Sequence, residues 1–519
     1  MIRLLIPLML LLLGLAQAQV VRPFQFAYNQ NTNGNILLIG NTLMTCGTST
    51  VTPSNPPNCN ANDTSLSNNL QMVFVDFDSD TTTSNSSRAT LSLPSGASVI
   101  FAGLYWGARA NPSSTTRNQI RFRTSGAGAY QTITATWLET ITTQGTATTR
   151  PYAAFADVTA LVQSAGSGDY WVAGITAATG NDGLGFYAGW SLVVVYQHPS
   201  EPLRRLSVSH GLAVVSSGNN ITQTISGLLT PLVGTVEARI GAVAWEGDGG
   251  ITGDQFQIRP TGSPTWQNLS DSQNPSNNFF NSSISRLGSR FSAKLPDYVN
   301  QFALDADLVQ YNSLPNGTTS VDLQFTSTGD TYFPQVLTFA VNLYLPDLTT
   351  TFNKTVQDLN GGNVLPGDVL EYTLSFNNTG LDGASNVVLR DPIPTHTQYV
   401  PGSLQVLTNA TGAPTGTFTD AAGDDIAEYA ASCPEFSGAP CVRFRLGTGA
   451  NASSGGLILP TQGASVRFRV QVLPSAAGQT ITNTAQVSYN SQTLGTGYSQ
   501  TASVSANSPV SNPPTLSKA

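Results

Sequence analysis

The sequence predicts an all-β protein made of tandem β-sandwiches. Only 10% of its 519 residues are charged, well below the usual quarter, as in strand-rich proteins that face outward. Gly and Pro together make 78 residues (48 and 30), whereas apolar residues still make 40%. The chain can therefore form packed cores and is not a disordered linker. Short β-branched or aromatic runs, separated by Gly, Pro, Asn and Asp, recur along it as they do in a sandwich.

The N terminus has the pattern of a secretory signal peptide over residues 1–18. A basic start at Arg3 precedes an apolar run over 4–15, and Ala16-Gln17-Ala18 has the small-x-small form that precedes cleavage. The run is too short for a membrane span, so we predict no transmembrane segment after cleavage and a mature chain that begins at Gln19. The protein is predicted to be secreted, or displayed at the cell surface or outer envelope.

Residues 19–345 form the predicted N-terminal β-sandwich region, which we expect to be jelly-roll-like. Its apolar runs are candidates for buried strands, at 99–106, 170–175, 192–196, 206–215, 240–244 and 337–344. Two prolines around a polar dipeptide at 198–202 separate two strong runs. Because the region is long for one sandwich, a division into two domains near residue 200 stays open.

Residues 346–506 carry the most specific motifs. In order they are Leu-Pro-Gly-Asp at 365–368, Leu-Glu-Tyr-Thr-Leu-Ser-Phe at 370–376, Asn-Thr-Gly at 378–380, Asn-Val-Val-Leu-Arg-Asp-Pro-Ile-Pro at 386–394, Tyr-Val-Pro-Gly-Ser at 399–403 and Ile-Thr-Asn-Thr-Ala-Gln-Val-Ser-Tyr at 481–489. This order resembles the conserved repeat domain known as domain of unknown function 11. The resemblance implies an immunoglobulin-like sandwich from large exported bacterial surface proteins, with no catalytic residues.

The N-terminal region resembles the envelope-protein module that accompanies this repeat in some bacteria. The residues that carry the likeness lie at 101–108, 187–196, 246–248, 252–254 and 329–334, and the likeness implies no activity. At the other end, 507–519 is predicted to be a linker-like tail, in which 515–519 resembles the opening strand of a further repeat. Such a strand would permit self-association by pairing with a neighbouring chain.

The four cysteines fall into two local couples. Cys46 lies near Cys59, and Cys433 lies near Cys441, each in a loop rich in Pro, Asn or Ser. In an exported protein this spacing predicts two small-loop disulfides.

Three alternating carboxylates, Asp76, Asp78 and Asp80, are the first candidate ion site. Side chains at alternate positions of a strand end share one side and offer the oxygen ligands that calcium prefers. The pattern departs from an EF-hand loop, since Thr81 stands at the glycine position and Ser87 at the glutamate position. A solvated strand end is the alternative.

Glu246, Asp248 and Asp254 form a second, weaker calcium candidate among glycines that allow sharp turns. An acidic turn without a ligand explains the same pattern. A third interpretation is glycosidase chemistry, in which Glu246 and one of the two aspartates would flank a sugar bond.

An internal amide bond is predicted within the repeat domain as a further alternative. In some surface sandwiches a first-strand Lys and a last-strand Asn condense with the help of a buried acid that stays protonated. Lys354 and Asn483 lie on the first and last predicted strands, and Glu371 or Asp391 would be the acid. An exposed Lys and a turn-forming Asn are the competing interpretation.

We therefore predict a non-enzymatic exported surface or envelope protein with a structural or adhesive role. Its expected partners are other envelope proteins or cell-surface glycans, and nucleic acid is not expected because the net charge is -8 with no Lys/Arg cluster. One alternative is a calcium-dependent carbohydrate-binding protein that stacks sugars on aromatic rings, although core positions suit these rings better: Tyr105, Trp106, Tyr187, Trp190 and Trp245. The other alternative is the secreted glycoside hydrolase.

Overall fold

The computed structural model describes residues 19–228 and 230–513. The predicted signal peptide and the last six residues of the predicted tail lie outside this part of the chain. Apart from one short α-helix, α1 (Thr159–Ala165), and three 3-10 turns, the regular elements of the described residues are strands. The predicted all-β class is confirmed. Two compact units are present: an N-terminal unit (19–228 with 236–343) and a C-terminal unit (230–235 with 344–513).

The strands of the N-terminal unit are mostly short, and many are buried on both faces. They are β1 (Gln19–Thr42), β2 (Met44–Cys46), β3 (Met72–Phe74), β4 (Ser86–Leu91), β5 (Ser98–Ala110), β6 (Gln119–Arg123), β7 (Gln131–Thr134), β8 (Trp137–Thr140), β9 (Arg150–Asp157), β10 (Gly168–Ala173), β11 (Ala188–Gln197), β12 (Leu203–Val214), β13 (Ile221–Ser226), β14 (Ala238–Trp245), β15 (Asp254–Pro260), β16 (Gln267–Asn268), β17 (Ile284–Arg286), β18 (Ser289–Arg290), β19 (Lys294–Leu295), β20 (Leu304–Tyr311), β21 (Ser320–Ser327) and β22 (Phe333–Asn342).

One 11-stranded sheet dominates this unit, in the order β18-β17-β20-β14-β22-β12-β1-β11-β5-β9-β8. The long strand β1 joins its two halves, because residues 19–33 pair with β12 and residues 34–42 pair with β11. Both halves contribute side chains to one hydrophobic cluster, for example Leu38 and Val193 from one half and Val243 and Phe333 from the other. The two halves therefore pack face to face.

Smaller sheets cover the outer faces of both halves. The sheet β19-β4-β10-β6-β7 shares a core with β5 and β11, and the sheet β13-β21-β15-β16 shares a core with β14 and β22. Strands of the large sheet therefore contact a core on each face. Along β5, Leu104 and Trp106 point to one core, and Phe101 and Tyr105 point to the other. The N-terminal unit thus has four strand layers and three cores, which explains strands that are apolar on both faces.

The proline-rich segment at 198–202 lies between β11 and β12, at the change from one half of the large sheet to the other. Because β1 pairs with both of these strands, the sheet continues across residue 200. The prolines at 198–202 therefore mark the place where the chain passes from one layer to the next within the N-terminal unit.

The C-terminal unit is a two-sheet β-sandwich. Its strands are β23 (Asn353–Asp358), β24 (Val369–Asn377), β25 (Ala384–Pro392), β26 (Thr397–Tyr399), β27 (Gln405–Thr408), β28 (Gly416–Thr417), β29 (Ala427–Ala430), β30 (Cys441–Arg445), β31 (Gly463–Val472), β32 (Thr480–Ser491) and β33 (Gly495–Pro509). One sheet has the order β23-β24-β31-β27-β28, with β26 also pairing β31, and the other has the order β29-β30-β25-β32-β33. A single apolar core fills the space between them.

The last strand runs further than the sequence suggested. β33 pairs with β32 from Gly495 to Pro509, so residues 507–509, which were expected to begin a linker-like tail, belong to the sheet. The alternation of small and polar residues in this stretch gives a weak strand signal, and pairing with β32 supplies the missing stabilisation.

Candidate functional site

A buried lysine is the most unusual feature of the C-terminal sandwich. Lys354 lies on β23, an edge strand of the first sheet, and its side chain is 0% exposed. Strand alternation explains its direction, because Asn353 and Thr355 on either side are exposed. Its Nζ lies 2.5 Å from Oδ2 of Asp391 and 4.8 Å from the centre of the Tyr372 ring. An amine is thereby held inside an apolar core, where an isolated charge is costly.

Asp391 and Asn483 approach this amine from the opposite sheet. They lie on the neighbouring strands β25 and β32, each two residues from a core residue, Leu389 or Ala485, and so on the same core-facing side of the sheet. The Asp391 side chain is 0% exposed and Asn483 is 1% exposed. Asp391 uses Oδ2 for Lys354, and its Oδ1 has no hydrogen-bond partner.

The amide of Asn483 is not committed elsewhere. It lies close enough to Asp391 to act toward a lower pKa of that carboxyl, yet neither its Oδ1 nor its Nδ2 forms a hydrogen bond of good geometry. Buried amides are normally satisfied, so an orphaned one beside a buried amine and a buried acid needs an explanation.

Burial shifts the two titrating groups of the site toward their neutral forms. It raises the pKa of Asp391 to about 6, against the opposing attraction of Lys354 and the hydrogen bonding around it. Burial likewise lowers the pKa of Lys354, with Asp391 opposing the change. Both directions favour a neutral amine next to a protonated carboxyl. These are the states needed for a nucleophile and its acid.

Glu371, the other acid considered from sequence, lies outside this group. It is on β24, one residue before Tyr372, so its side chain points to the opposite face of the sheet. There it accepts hydrogen bonds from Arg467 at 3.3 Å and Arg469 at 2.8 Å. The structure therefore places Asp391, and not Glu371, beside Lys354.

Two residues of the site were missed by the sequence reasoning. Tyr372 supplies the ring beneath the amine, although it lies within the quoted 370–376 motif. Ser508 is 4% exposed and lies close to the Tyr372 hydroxyl, in the stretch that was expected to be a tail. The alternation of Leu370, Tyr372 and Leu374 as core positions would have identified Tyr372, whereas Ser508 has no comparable signal.

All four cysteines are paired as predicted. Disulfides join Cys46 to Cys59 and Cys433 to Cys441, with Cα atoms 6.0 Å and 6.1 Å apart. Cys433 and Cys441 are both buried, and Cys441 begins β30, so the second bridge fixes a loop to the sheet that carries Asp391.

The side chains of the first acidic group accept hydrogen bonds from nearby residues and from the distant Tyr130. Asp76 accepts a hydrogen bond from Ser86, Asp78 accepts one from Tyr130, and Asp80 accepts one from Thr82. Within residues 19–228 and 230–513, no three Asp, Glu, His or Cys side chains converge as a metal site would require. Calcium at this group stays a prediction that the geometry does not favour.

The second acidic group lies inside the N-terminal unit. Glu246, Asp248 and Asp254 are 4%, 6% and 0% exposed, and Glu246 accepts a hydrogen bond from the Asn68 amide at 2.8 Å. A glycosidase needs two carboxyl groups on the walls of a cleft that admits a sugar chain. Carboxyls buried to this degree do not provide such a cleft.

The aromatic residues considered as a sugar platform are core residues. Each of the five is at most 1% exposed: Tyr105, Trp106, Tyr187, Trp190 and Trp245. The indole nitrogens of Trp190 and Trp245 donate to Ser87 and Gln335, both inside the unit. These rings stabilise the N-terminal unit and offer no stacking surface.

Of the helices in the described residues, none has the length and apolar character that a membrane crossing requires.

Neither family models nor curated proteins match this sequence. Among solved structures, similarity extends to α-2-macroglobulin from Escherichia coli, from domain MG7 to the C terminus, at 11% identity over 50% of this chain and 33% of that one, with a TM-score of 0.18. The T6 backbone pilin of Streptococcus pyogenes shares 12% identity over 57% of this chain and 65% of that one, with a TM-score of 0.22. The C-terminal domain of the S. pyogenes antigen I/II-family protein AspA shares 12% identity over 59% of this chain and 92% of that one, also at 0.22. The present chain thus spans 33% of the α-2-macroglobulin fragment and 65% of the pilin.

Proposed function

We propose that this is a non-enzymatic, exported bacterial surface protein with a structural or adhesive role, whose C-terminal sandwich is locked by an amide bond between Lys354 and Asn483. Two disulfides support an oxidising compartment. Residues 1–18 supply the export signal by their sequence pattern. Other envelope proteins or cell-surface glycans are the partners that such a role implies.

The observation that carries this proposal is the isolation of Lys354, Asp391 and Asn483 together in one apolar core. A buried ion pair alone gives little net stability, because desolvation of both charges offsets their attraction. It also leaves the adjacent Asn483 amide without partners. A condensation would use all three groups and remove both costs.

The bond would form in a balanced step. The neutral Nζ of Lys354 attacks Cγ of Asn483, while protonated Asp391 hydrogen-bonds the amide oxygen and stabilises the charge that develops there. Asp391 then relays a proton from the attacking amine to Nδ2. The Cγ–Nδ2 bond breaks, ammonia leaves, and Asp391 is again protonated. No oxidant, metal or further reactant is needed.

The position of the bond suits a protein under load. It would join β23 of one sheet to β32 of the other, so tension applied along the chain would bypass the residues between 354 and 483. In the chain-entropy model a cross-link around a loop of this length stabilises by about 5 kcal/mol. A structural or adhesive surface role would use such a lock.

Location is tested by fractionating the native cells with an antibody against the C-terminal unit. We expect the protein in the medium or accessible to protease on intact cells, with an N terminus at Gln19. A cytoplasmic protein that retains residues 1–18 would contradict the exported role, whether or not the amide forms.

A further inference from the structure

A polar cavity lies on the outer face of one sheet of the C-terminal sandwich. Its volume is about 280 Å³, and its lining includes Gly402, Ser403, Gln405, Thr417, Arg467 and Arg469. We call it the arginine cavity. Gly402 and Ser403 belong to the motif Tyr-Val-Pro-Gly-Ser at 399–403, to which the proposed amide bond gives no role.

Strand register brings the polar side chains of the arginine cavity together. Arg467 and Arg469 on β31 alternate with core residues such as Phe468, so both lie on the outer face of the sheet. Arg469 is directly opposite Glu371 on β24, and Arg467 is directly opposite Gln405 on β27. Side chains at such positions are in contact distance across the strands. The group is therefore built by three adjacent strands of one unit.

One buried carboxylate holds both guanidinium groups in place. The Glu371 side chain is 9% exposed. Its Oε1 accepts a hydrogen bond from Arg467 Nη1 at 3.3 Å, and its Oε2 accepts one from Arg469 Nε at 2.8 Å. Gln405 Oε1 accepts a further bond from Arg467 Nε at 2.6 Å. Every acceptor oxygen of Glu371 and Gln405 is thus used to orient the two arginines.

Donors remain in the arginine cavity after these bonds are made. Within residues 19–228 and 230–513, Arg467 Nη2, both Nη atoms of Arg469 and Gln405 Nε2 donate no hydrogen bond. A further acid, Asp420, is also fully used, because it accepts the Gly402 N–H at 2.8 Å and the Tyr399 hydroxyl at 2.5 Å. Two oriented guanidinium groups with free N–H donors match the paired oxygens of a carboxylate or a phosphate.

The character of the arginine cavity favours a hydrophilic ligand over a protein surface. Leu404 is the one residue with an apolar side chain in its lining, and it is 0% exposed. The centre of a protein–protein interface is normally apolar, with aromatic anchors. A volume of about 280 Å³ is near the lower end of ligand pockets, which begin at about 300 Å³. One charged unit of a sugar polymer suits both the polarity and the size.

We propose that the arginine cavity binds the carboxylate or phosphate group of an acidic polysaccharide. Arg467 and Arg469 bind the anionic oxygens, and the Gln405 amide and the Thr417 hydroxyl bind neighbouring sugar oxygens. That the polymer belongs to a cell surface rests on the proposed function. Binding itself does not depend on the amide bond, because Glu371, which orients the arginines, lies on the opposite face of its strand from the core.

The test is calorimetric titration of the purified full chain with three probes of equal length: an oligogalacturonate, an oligomer of glycerol phosphate and a neutral maltooligosaccharide. We expect an acidic probe to bind in about 10 mM salt and to bind at least fivefold more weakly in about 150 mM salt, where exposed charges are screened. The neutral probe should not bind. The tighter of the two acidic probes identifies the anion as a carboxylate or a phosphate.

The decisive variant is Arg467→Ala with Arg469→Ala, for which we expect at least a tenfold loss of affinity for the acidic probe. The matched control is Arg121→Ala with Arg123→Ala. It removes the same two charges from alternate, partly buried positions of another strand, β6, and should leave the affinity unchanged. If the first variant does not fold, Arg469→Gln alone decides the matter, and its affinity should fall at least threefold.

Four results would overturn the proposal: no binding of either acidic probe, equal binding of the neutral probe, unchanged affinity in the arginine variant, or lost affinity in the control. An oligoglutamate peptide that binds as tightly as the sugars would assign the cavity to a protein partner instead. None of these results bears on export, which cell fractionation tests separately. The failure of this proposal is therefore distinguishable from failure of the proposed function.

Discussion

Asp391→Asn is expected to lower the free energy of unfolding of the C-terminal unit by about 3–5 kcal/mol through loss of the partner of a buried charge, and by about 5 kcal/mol more through loss of the cross-link. Lys354 is left in the apolar core with no counter-charge, and Asn483 is left without the acid that assists its condensation. Both effects act in the same direction. Denaturant unfolding of the full chain, followed for the C-terminal transition, measures the change.

Glu371→Gln is the matched control. Glu371 also lies on a core-lining strand and also pairs with cations, but those are the partly exposed Arg467 and Arg469. Its loss should cost no more than about 1 kcal/mol, because pairs of this kind are screened by solvent. If Asp391→Asn unfolds at the same denaturant concentration as wild type, Asp391 has neither an electrostatic nor a chemical role in this core.

Trp245→Ala is expected to destabilise the N-terminal unit by about 3–5 kcal/mol, the usual range for removing a large buried aromatic side chain. Trp245 is 0% exposed and stacks on Tyr187 with ring centroids 6.2 Å apart. Its indole N–H donates to Gln335 Oε1 at 2.8 Å, so the variant also leaves a buried acceptor unsatisfied. Denaturant unfolding measures the loss.

Trp266→Ala provides the comparison, because Trp266 is only partly buried and packs beneath Arg259 at 4.2 Å. We expect a loss of about 1 kcal/mol or less, as for an exposed cation–π pair. If Trp245 stacked on sugars, as the carbohydrate-binding alternative requires, Trp245→Ala would abolish glycan binding and leave the free energy of unfolding unchanged. That result would contradict the assignment of Trp245 to the core.

The sequence was informative about the C-terminal site because its residues follow strand alternation. Lys354 was correctly placed on the first strand of the sandwich, β23. Asn483 was expected on the last strand, which is wrong, because it lies on β32 and β33 follows. The choice between Glu371 and Asp391 could not be made, since it depends on which face of each strand meets the core. Glu371 follows Leu370 and precedes Tyr372, both buried, and its outward direction became clear only once the two sheets were assigned.

The N-terminal unit was harder to predict because its pairing is not local. Strand β1 pairs with β11 and β12, and the paired residues are 147 (Thr42 and Gly189) to 195 (Gln19 and Val214) positions apart. No local pattern encodes such a layer arrangement. Acidic spacing identified Asp76, Asp78 and Asp80, but it could not show that Asp78 accepts a hydrogen bond from Tyr130, which is 52 residues away in the sequence.

The intact mass of the secreted, fully reduced protein tests the central claim most directly. The account predicts that the wild type has lost one ammonia more than either variant, Asn483→Ala or Asp391→Asn, each compared with its own calculated mass, with Lys354 and Asn483 recovered in one cross-linked peptide. The comparison with the variants is needed because cyclisation of an N-terminal Gln19 also releases one ammonia, and it does so in all three chains. Simple deamidation is distinguishable, because it replaces the ammonia by water. A wild-type chain that has lost no more ammonia than the variants would contradict the lock.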